Sequence, residues 1–383
     1  MILSKKAKWS KLNYRFMYNG LEVEKVAQYT YLGVPLSNSG SFAKAARHFK
    51  NKGLLALNAT NRVAHKGKIQ NWKSKIKLFD KCVETCMLYE AETWGFGHEK
   101  LLEPVQLKFL KQTLGVRRTT ASHAVRVEAG RTKVEPLIYK KMIKYWQKIL
   151  AMPPDRTPRK MYEKLKALVD NQDQNIQNWA WKIKLILQKI NFEDVWRIQS
   201  PERLAEKLDD ICKAIDTFYI EEDIKSLINS TTCRVADLKP QPLYIDRSEY
   251  LTASIPLRER IIWSQLRLAS LKFPFIIGTG GLKQKFDPGS PCTVCNLESF
   301  DTIDHFLFVC PQLDILRQKY IHPHLKELIL SEAHPTSTIT QDVPRPQINI
   351  MHRILTSNDP KIINTVTNYA ISALRTRAFI LDI

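Results

Sequence analysis

A mainly α-helical chain with a short β opening and a small metal-binding module towards its far end is what three observations predict. Apolar residues recur at helical spacing through much of residues 72–219, an Asn19-Gly20 pair separates two alternating segments, and cysteines cluster with a histidine between residues 292 and 310. Helical recurrence buries one stripe of each segment, and Asn-Gly between alternating runs is a strong hairpin signal.

In chain order, Tyr14 to Tyr18, the Asn19-Gly20 turn, Leu21 to Val26 and Tyr29 to Leu36 read as the β opening. After Ser37-Asn38-Ser39-Gly40 the spacing changes to helix. Three stripes follow: Trp72, Ile76, Phe79, Val83 and Cys86; Val105, Phe109, Leu110 and Leu114; and Ile138, Met142, Trp146 and Ile149. Their apolar spacing assigns them to a core rather than to ligand contacts. Pro153-Pro154 ends the run and marks a domain boundary. Two more helices span Ile176 to Ile190, with Trp179, Ile183 and Ile186 on one face, and Leu204 to Tyr219, with Leu208, Ile211 and Ile215. Residues 229–257, with Pro240, Pro242 and Pro256, read as an irregular connector. A short helix covers Leu257 to Leu271, and Gly278, Gly280 and Gly281 read as a hinge; they lack the residues of a phosphate-binding loop. Residues 334–347 are rich in Pro, Ser and Thr and read as flexible, and an amphipathic helix from about Pro360 to Phe379 closes the chain. The segments divide as 1–152, 153–256, 257–333 and 334–383. No apolar run approaches the ~18 residues of a membrane span, so no membrane partner is expected.

Cys292, Cys295, His305 and Cys310 form C-x2-C-x9-H-x4-C, a spacing suited to a tetrahedral zinc ion. Four protein ligands leave no open position, so the site is expected to be structural. Pro291 and Gly289 supply turn chemistry before the pair, and Asp301 with Asp304 reads as the cap and third-position acid of a short helix carrying His305. The plainer alternative is a set of buried thiols with a core histidine. His322-Pro-His324 is a weaker metal pair that reads better as a loop. Seven cysteines without a disulfide framework predict a reducing compartment, nuclear or cytoplasmic.

The formal net charge is +21, and it is unevenly placed: residues 1–160 hold 32 Lys and Arg against 11 Asp and Glu, whereas residues 161–383 hold 27 of each. Such asymmetry predicts a polyanion partner, RNA or DNA, gripped mostly by its backbone. The candidate contacts are Arg47, Lys50, Lys52, Arg62, Lys66, Lys68, Lys73, Lys75, Lys77, Arg117 and Arg118, interleaved at first with His48, Phe49, His65 and Trp72. A solvated basic surface is the alternative.

Several segments then resemble, in order, the end of the reverse transcriptases of non-LTR (LINE-type) retrotransposons. Tyr29-Thr-Tyr-Leu-Gly-Val-Pro-Leu36 with Asn38-Ser-Gly-Ser-Phe42 is similar to the Y-x-YLG motif that follows the palm. Tyr89-Glu-Ala-Glu-Thr-Trp-Gly95 is similar to YGAExWG, and Val105-Gln-Leu-Lys-Phe-Leu-Lys111 with Leu114-Gly-Val116 resembles the VQ-x-KFLK-x-x-LGV helix. Glu128-Ala-Gly-Arg131, Ile143-Lys-Tyr-Trp146 and His305-Phe-Leu-Phe-Val-Cys-Pro311 fit as well, the last within the family's CCHC module. The resemblance implies a thumb-like helical bundle and connector, a helical linker and a zinc-knuckle module, in a family of RNA-directed DNA polymerases. It also implies that the catalytic aspartates, and the Mg²⁺ they hold, lie upstream in a longer palm-containing parent. Asp209-Asp210 sits in a helical pattern and takes no such role, and residues 311–383 show no nuclease acids. A nucleic-acid-binding fragment, inactive alone as a polymerase, is therefore expected. The other reading is a domesticated protein-interaction scaffold with a structural zinc site, using exposed Trp179, Trp181 and Trp196.

Overall fold

A computed structural model describes residues 15–24, 26–170, 178–233, 247–295, 297–323 and 353–381. The chain is mainly helical with a short N-terminal β-hairpin, as its sequence predicts, and the described residues form three two-stranded antiparallel hairpins in all. It forms two compact units whose segments alternate along the sequence: residues 1–69, 74–106 and 133–219 in the first, residues 70–73, 107–132 and 220–383 in the second. Tyr14, residues 334–347, residues 234–246 of the proline-containing connector and His324 lie outside the described residues.

The first unit opens with β1 (Met17–Tyr18) and β2 (Leu21–Glu22), joined through Asn19 and Gly20, both at positive φ. The segment read as one further strand is a second hairpin, β3 (Gln28–Tyr31) and β4 (Val34–Ser37). Its turn is Leu32-Gly33, with φ of 46° and 83°. Two consecutive left-handed residues match the twist of paired strands, and the glycine of the Tyr-Leu-Gly segment carries that geometry without a Cβ. β4 packs on α1 (Ala43–Lys66), whose buried residues Ala45, Ala46, Phe49, Gly53 and Leu57 lie on one face.

Beyond α1, α2 (Trp72–Leu78) runs into a π-helical turn, Phe79–Glu84, and then α3 (Thr85–Met87). The wider turn changes which face points inward, so Met87 is buried and Cys86, expected on the apolar stripe, is exposed. α4 (Ala91–Trp94) brings Trp94 flat against Phe49, with ring centroids 4.9 Å apart. α5 (Glu99–Leu114) and α7 (Val134–Leu150) bury the stripes the sequence marks; between them comes α6 (Ser122–Ala129) of the second unit. Pro153-Pro154 falls between α7 and α8 (Thr157–Asp170), inside the first unit.

Further along, α9 (Trp179–Lys189), α10 (Glu193–Ile198) and α11 (Pro201–Ile228) follow, α11 running past the expected end at Tyr219. The tryptophans expected at the surface are largely enclosed. Trp196 is buried and stacks on Trp146, and the Trp179 indole N–H donates to the Glu92 carbonyl. A polar knot ties α5, α7 and α11: the Tyr139 hydroxyl lies 2.6 Å from Glu135 and 2.9 Å from Glu99, and the Tyr219 hydroxyl donates to Glu135.

In the second unit, residues 278–281 are not a hinge. They belong to a hairpin, β5 (Phe275–Thr279) and β6 (Leu282–Phe286), whose strands pair in register with Phe275 opposite Phe286. α12 (Leu257–Arg267) packs against β5, and α13 (Asp314–Tyr320) and α14 (Pro360–Leu381) complete the unit. Among the described residues four arginines are buried here, and three of them meet a carboxylate far away in sequence. Arg126 of α6 forks onto Asp223 at 2.6 Å through Nε and Nη2; Arg267 of α12 engages both oxygens of Glu128; Arg377 of α14 engages both oxygens of Asp301.

These pairs generate a stability prediction. Asp223→Ala would leave a guanidinium that cannot lose its proton inside the fold, and the expected cost is about 3–5 kcal/mol in urea unfolding. Replacing both partners together, Arg126→Met with Asp223→Leu, should recover most of that loss. Two-state unfolding with no loss in the single variant would refute the assignment.

Candidate functional site

The chain from β6 turns through Asp287, whose carboxylate accepts from the Gly289 N–H and whose carbonyl accepts from the Ser290 N–H. The Cys292 N–H donates to the Ser299 carbonyl at 2.8 Å, and the Asp301 N–H to the Ser290 carbonyl at 2.9 Å. These bonds close a small loop with Pro291 bridged to Phe300. At its turn the backbone N–H groups of Val294 and Cys295 aim at the Cys292 sulfur, the pattern that lets one tight turn present two sulfurs to one point.

His305 enters from a π-helical turn, His305–Val309, whose closing bond runs from the Cys310 N–H to the His305 carbonyl. That single wide turn brings residues 305 and 310 to the same side. Its start differs from the sequence expectation. Asp301 does not cap it, because its carboxylate is taken by Arg377; the Thr302 hydroxyl accepts from the His305 N–H instead.

The Sγ atoms of Cys292, Cys295 and Cys310 and a ring nitrogen of His305 all lie within 4.8 Å of one another. A tetrahedral shell with metal–sulfur bonds of about 2.3 Å needs sulfurs roughly 3.8 Å apart, so only small adjustments separate this cluster from a coordination shell. His305 Nε2 is 3.3 Å from Cys295 Sγ, which makes it the nitrogen facing the thiols; Nδ1 is buried with no partner among the described residues. The hydrogen bond from Cys310, helped by the Val294 and Cys295 amides, holds the Cys292 thiol well below the usual range. The same bond and burial push Cys310 up. The two shifts are of opposite sign because the Cys292 and Cys310 thiols share one hydrogen bond. The four residues can hold a metal ion, and with four protein donors they leave it no open position.

Side chains that carry no metal-ligand signature support this cluster. Phe275, Phe286, Phe306 and Tyr369 form a continuous aromatic column, with centroid spacings of 5.2, 5.0 and 5.8 Å. The Tyr369 hydroxyl donates to the Phe306 carbonyl, and Arg317 donates to the Cys310 carbonyl, both at 2.6 Å. Arg377 also lies 4.4 Å above the Phe286 ring. An arginine or tyrosine on an amphipathic helix has no sequence mark that separates this role from ordinary packing.

The basic candidates are distributed between the units. In the first, Arg47, Lys52, Arg62 and Lys66 of α1 are exposed, and Lys50, at the edge of the buried stripe, is half-buried. At about 100° per residue they spread over roughly half the helix circumference. Lys68 and Lys77 are exposed and Lys75 is half-buried. In the second, Lys73 and Arg118 are exposed, whereas Arg117 is half-buried and donates to the Pro274 carbonyl. No Asp or Glu occurs between Glu24 and Asp80, while eleven Lys and Arg do. Lys283 and Lys285 stand exposed on β6. Asp209 and Asp210 are exposed in the middle of α11.

No family model matches the chain, and no curated protein or solved structure is significantly similar to it. No described helix is long and apolar enough to cross a membrane.

Elemental analysis of the purified chain should find one bound metal ion per molecule. Cys292→Ser and Cys310→Ser should each abolish it. Because the ligating sulfurs must be deprotonated, affinity should fall as the pH is lowered. Full metal content in both variants would mean that the cluster is only a set of buried thiols.

Proposed function

We propose that this chain is the nucleic-acid-binding, carboxy-terminal portion of a polymerase of the LINE-type reverse transcriptase family, with a structural zinc ion in the Cys292, Cys295, His305, Cys310 centre. Zinc suits three thiolates and an imidazole in a closed tetrahedral shell. RNA or DNA is the partner, held through its phosphates.

The observation that carries the binding reading is the acid-free stretch from residue 25 to residue 79 with its eleven cations. With no acid in the same stretch to offset them, these charges sum to a strong local positive field, which favours a polyanion and the release of its counterions. Such contacts position a strand and do not read its sequence. The ordered motifs support the family reading, and two of their glycines have a physical reason to be glycine. Gly33 forms the β3–β4 turn; Gly115 ends α5 at φ 69°, where the Val116 N–H reaches back to the Lys111 carbonyl and a Cβ would stand 2.4 Å from Ile261. In this reading Mg²⁺ and the polymerase acids belong to a longer palm-containing parent.

Salt-dependent binding tests this function. On a duplex of mixed sequence, log affinity should fall linearly with log salt, with a slope of about −0.9 per phosphate contact. Reversing Arg47, Lys52, Arg62 and Lys66 to Glu should weaken binding equally across sequences and flatten the slope. An unchanged slope would make these residues a solvated surface, and the protein-scaffold reading would replace this one. Separately, the chain with primer, template, nucleotides and Mg²⁺ should extend nothing; extension by contaminant-free protein would overturn the fragment reading.

A further inference from the structure

The second unit contains a partly enclosed cavity of about 220 Å³, separate from the metal centre. It is lined by the segment joining α5 to α6, by the chain leaving α12, and by Thr232 and Cys233, which pair with that chain. Among its lining residues Arg117 is the one charged group, and none is acidic. Arg117 uses Nη1 on the Pro274 carbonyl and has no further protein partner for Nε and Nη2 among the described residues. The hydroxyls of Thr119 and Thr120 are likewise without side-chain partners there. Leu268, Phe273 and Phe275 supply apolar surface, and Phe273 is 58% exposed at the rim.

Arg117 is held in place rather than left to swing. The buried Gln265 side chain donates to the Gly115 carbonyl at 2.7 Å and also accepts from the Gly278 N–H at 2.8 Å, so the turn from which Arg117 extends is tied to β5. A fixed guanidinium with spare donors, two hydroxyls and no acid selects an oxyanion. An exposed phenylalanine above an apolar floor selects a flat, weakly polar ring. The volume is below that of a drug-sized site, which suits one small residue of a polymer.

A cavity in the first unit makes the contrast. It is larger, about 380 Å³, but its walls carry Glu84, Asp209 and Asp216 among the lysines, and Lys140 is bound to Asp216 at 2.8 Å. An anion gains little there.

We propose that the Arg117 cavity receives a single unstacked nucleotide of a bound strand, with its phosphate at Arg117 and the threonine hydroxyls and its base against Phe273. The inference rests on the polynucleotide reading and deepens it: backbone contacts grip the strand, and this cavity takes one flipped-out residue.

Calorimetry on the full chain tests it, with nucleoside 5′-monophosphates, the matching nucleosides and inorganic phosphate as probes, and a single-stranded 20-mer of about that length titrated in parallel. Monophosphates should bind measurably more tightly than either the nucleoside or phosphate alone. Phe273→Ala, at an exposed position, should weaken them about five- to tenfold. Ala121→Leu, which fills the cavity, should remove monophosphate binding while the 20-mer keeps its salt dependence. Phosphate binding as tightly as a monophosphate would show an anion site only and overturn the proposal, as would Phe273→Ala binding at full strength. If the 20-mer binds and no monophosphate does, the cavity inference fails while the function stands. If monophosphates bind and the 20-mer does not, the strand-borne form fails along with that function. Should Ala121→Leu fail to fold, Phe273→Ala decides.

Discussion

An arginine cannot shed its charge, so a chain that buries one must bring a carboxylate to it from wherever the sequence holds one. The second unit meets that requirement three times, joining Arg126 to Asp223, Arg267 to Glu128 and Arg377 to Asp301. Measured against well-packed apolar substitutes, such pairs contribute little net stability. Their effect is on choice of structure, since any alternative packing that separates a pair leaves two uncompensated charges in a low-dielectric interior. Here the pairs decide which helices meet. α6 is bound to α11 through one and to α12 through another, and Arg267 also donates to the Leu355 carbonyl.

The third pair gives the metal centre its setting. The loop that carries Cys292 and Cys295 is short and contains few apolar residues of its own, so it cannot fold on burial alone. Asp301 anchors the end of that loop to α14, and the aromatic column from Phe275 to Tyr369 lies behind the turn that presents His305 and Cys310. A cation would then complete an arrangement that backbone hydrogen bonds and one buried ion pair already bring close to tetrahedral spacing. The low-lying proton equilibrium at Cys292 follows from the same geometry, since amide N–H groups and a neighbouring thiol converge on its sulfur.

Charge in the first unit obeys a simpler rule. α1 buries one face and leaves the rest to water, and its sequence supplies six Lys and Arg and no acid to that surface. Cations on an outer helix face lose no hydration on folding, so nothing in the packing opposes their accumulation. What accumulates is a long-range field, which favours polyanions without specifying one. A positioned arginine such as Arg117 has a different standing: it is half-buried, partly paired and tied to its surroundings through Gln265.

Local periodicity and composition determined much of this protein. The helical stripes of α5 and α7, the Asn19-Gly20 turn and the terminal helix are legible because each depends on residues close in sequence, and the Cys3His spacing is legible because its four ligands fall within residues 292–310. The placement of the net charge is legible for the same reason. Tertiary structure alone decided the rest. A π-helical turn moved Cys86 to the surface, since one wide turn changes every face that follows it. Asp301 is a helix cap by local pattern and an ion-pair partner in fact, because Arg377, 76 residues on, engages both oxygens of its carboxylate. Trp196 looks exposed until Trp146 meets it. In each case the competing partner is distant in sequence, and its interaction, made in the low-dielectric interior, outweighs the local preference.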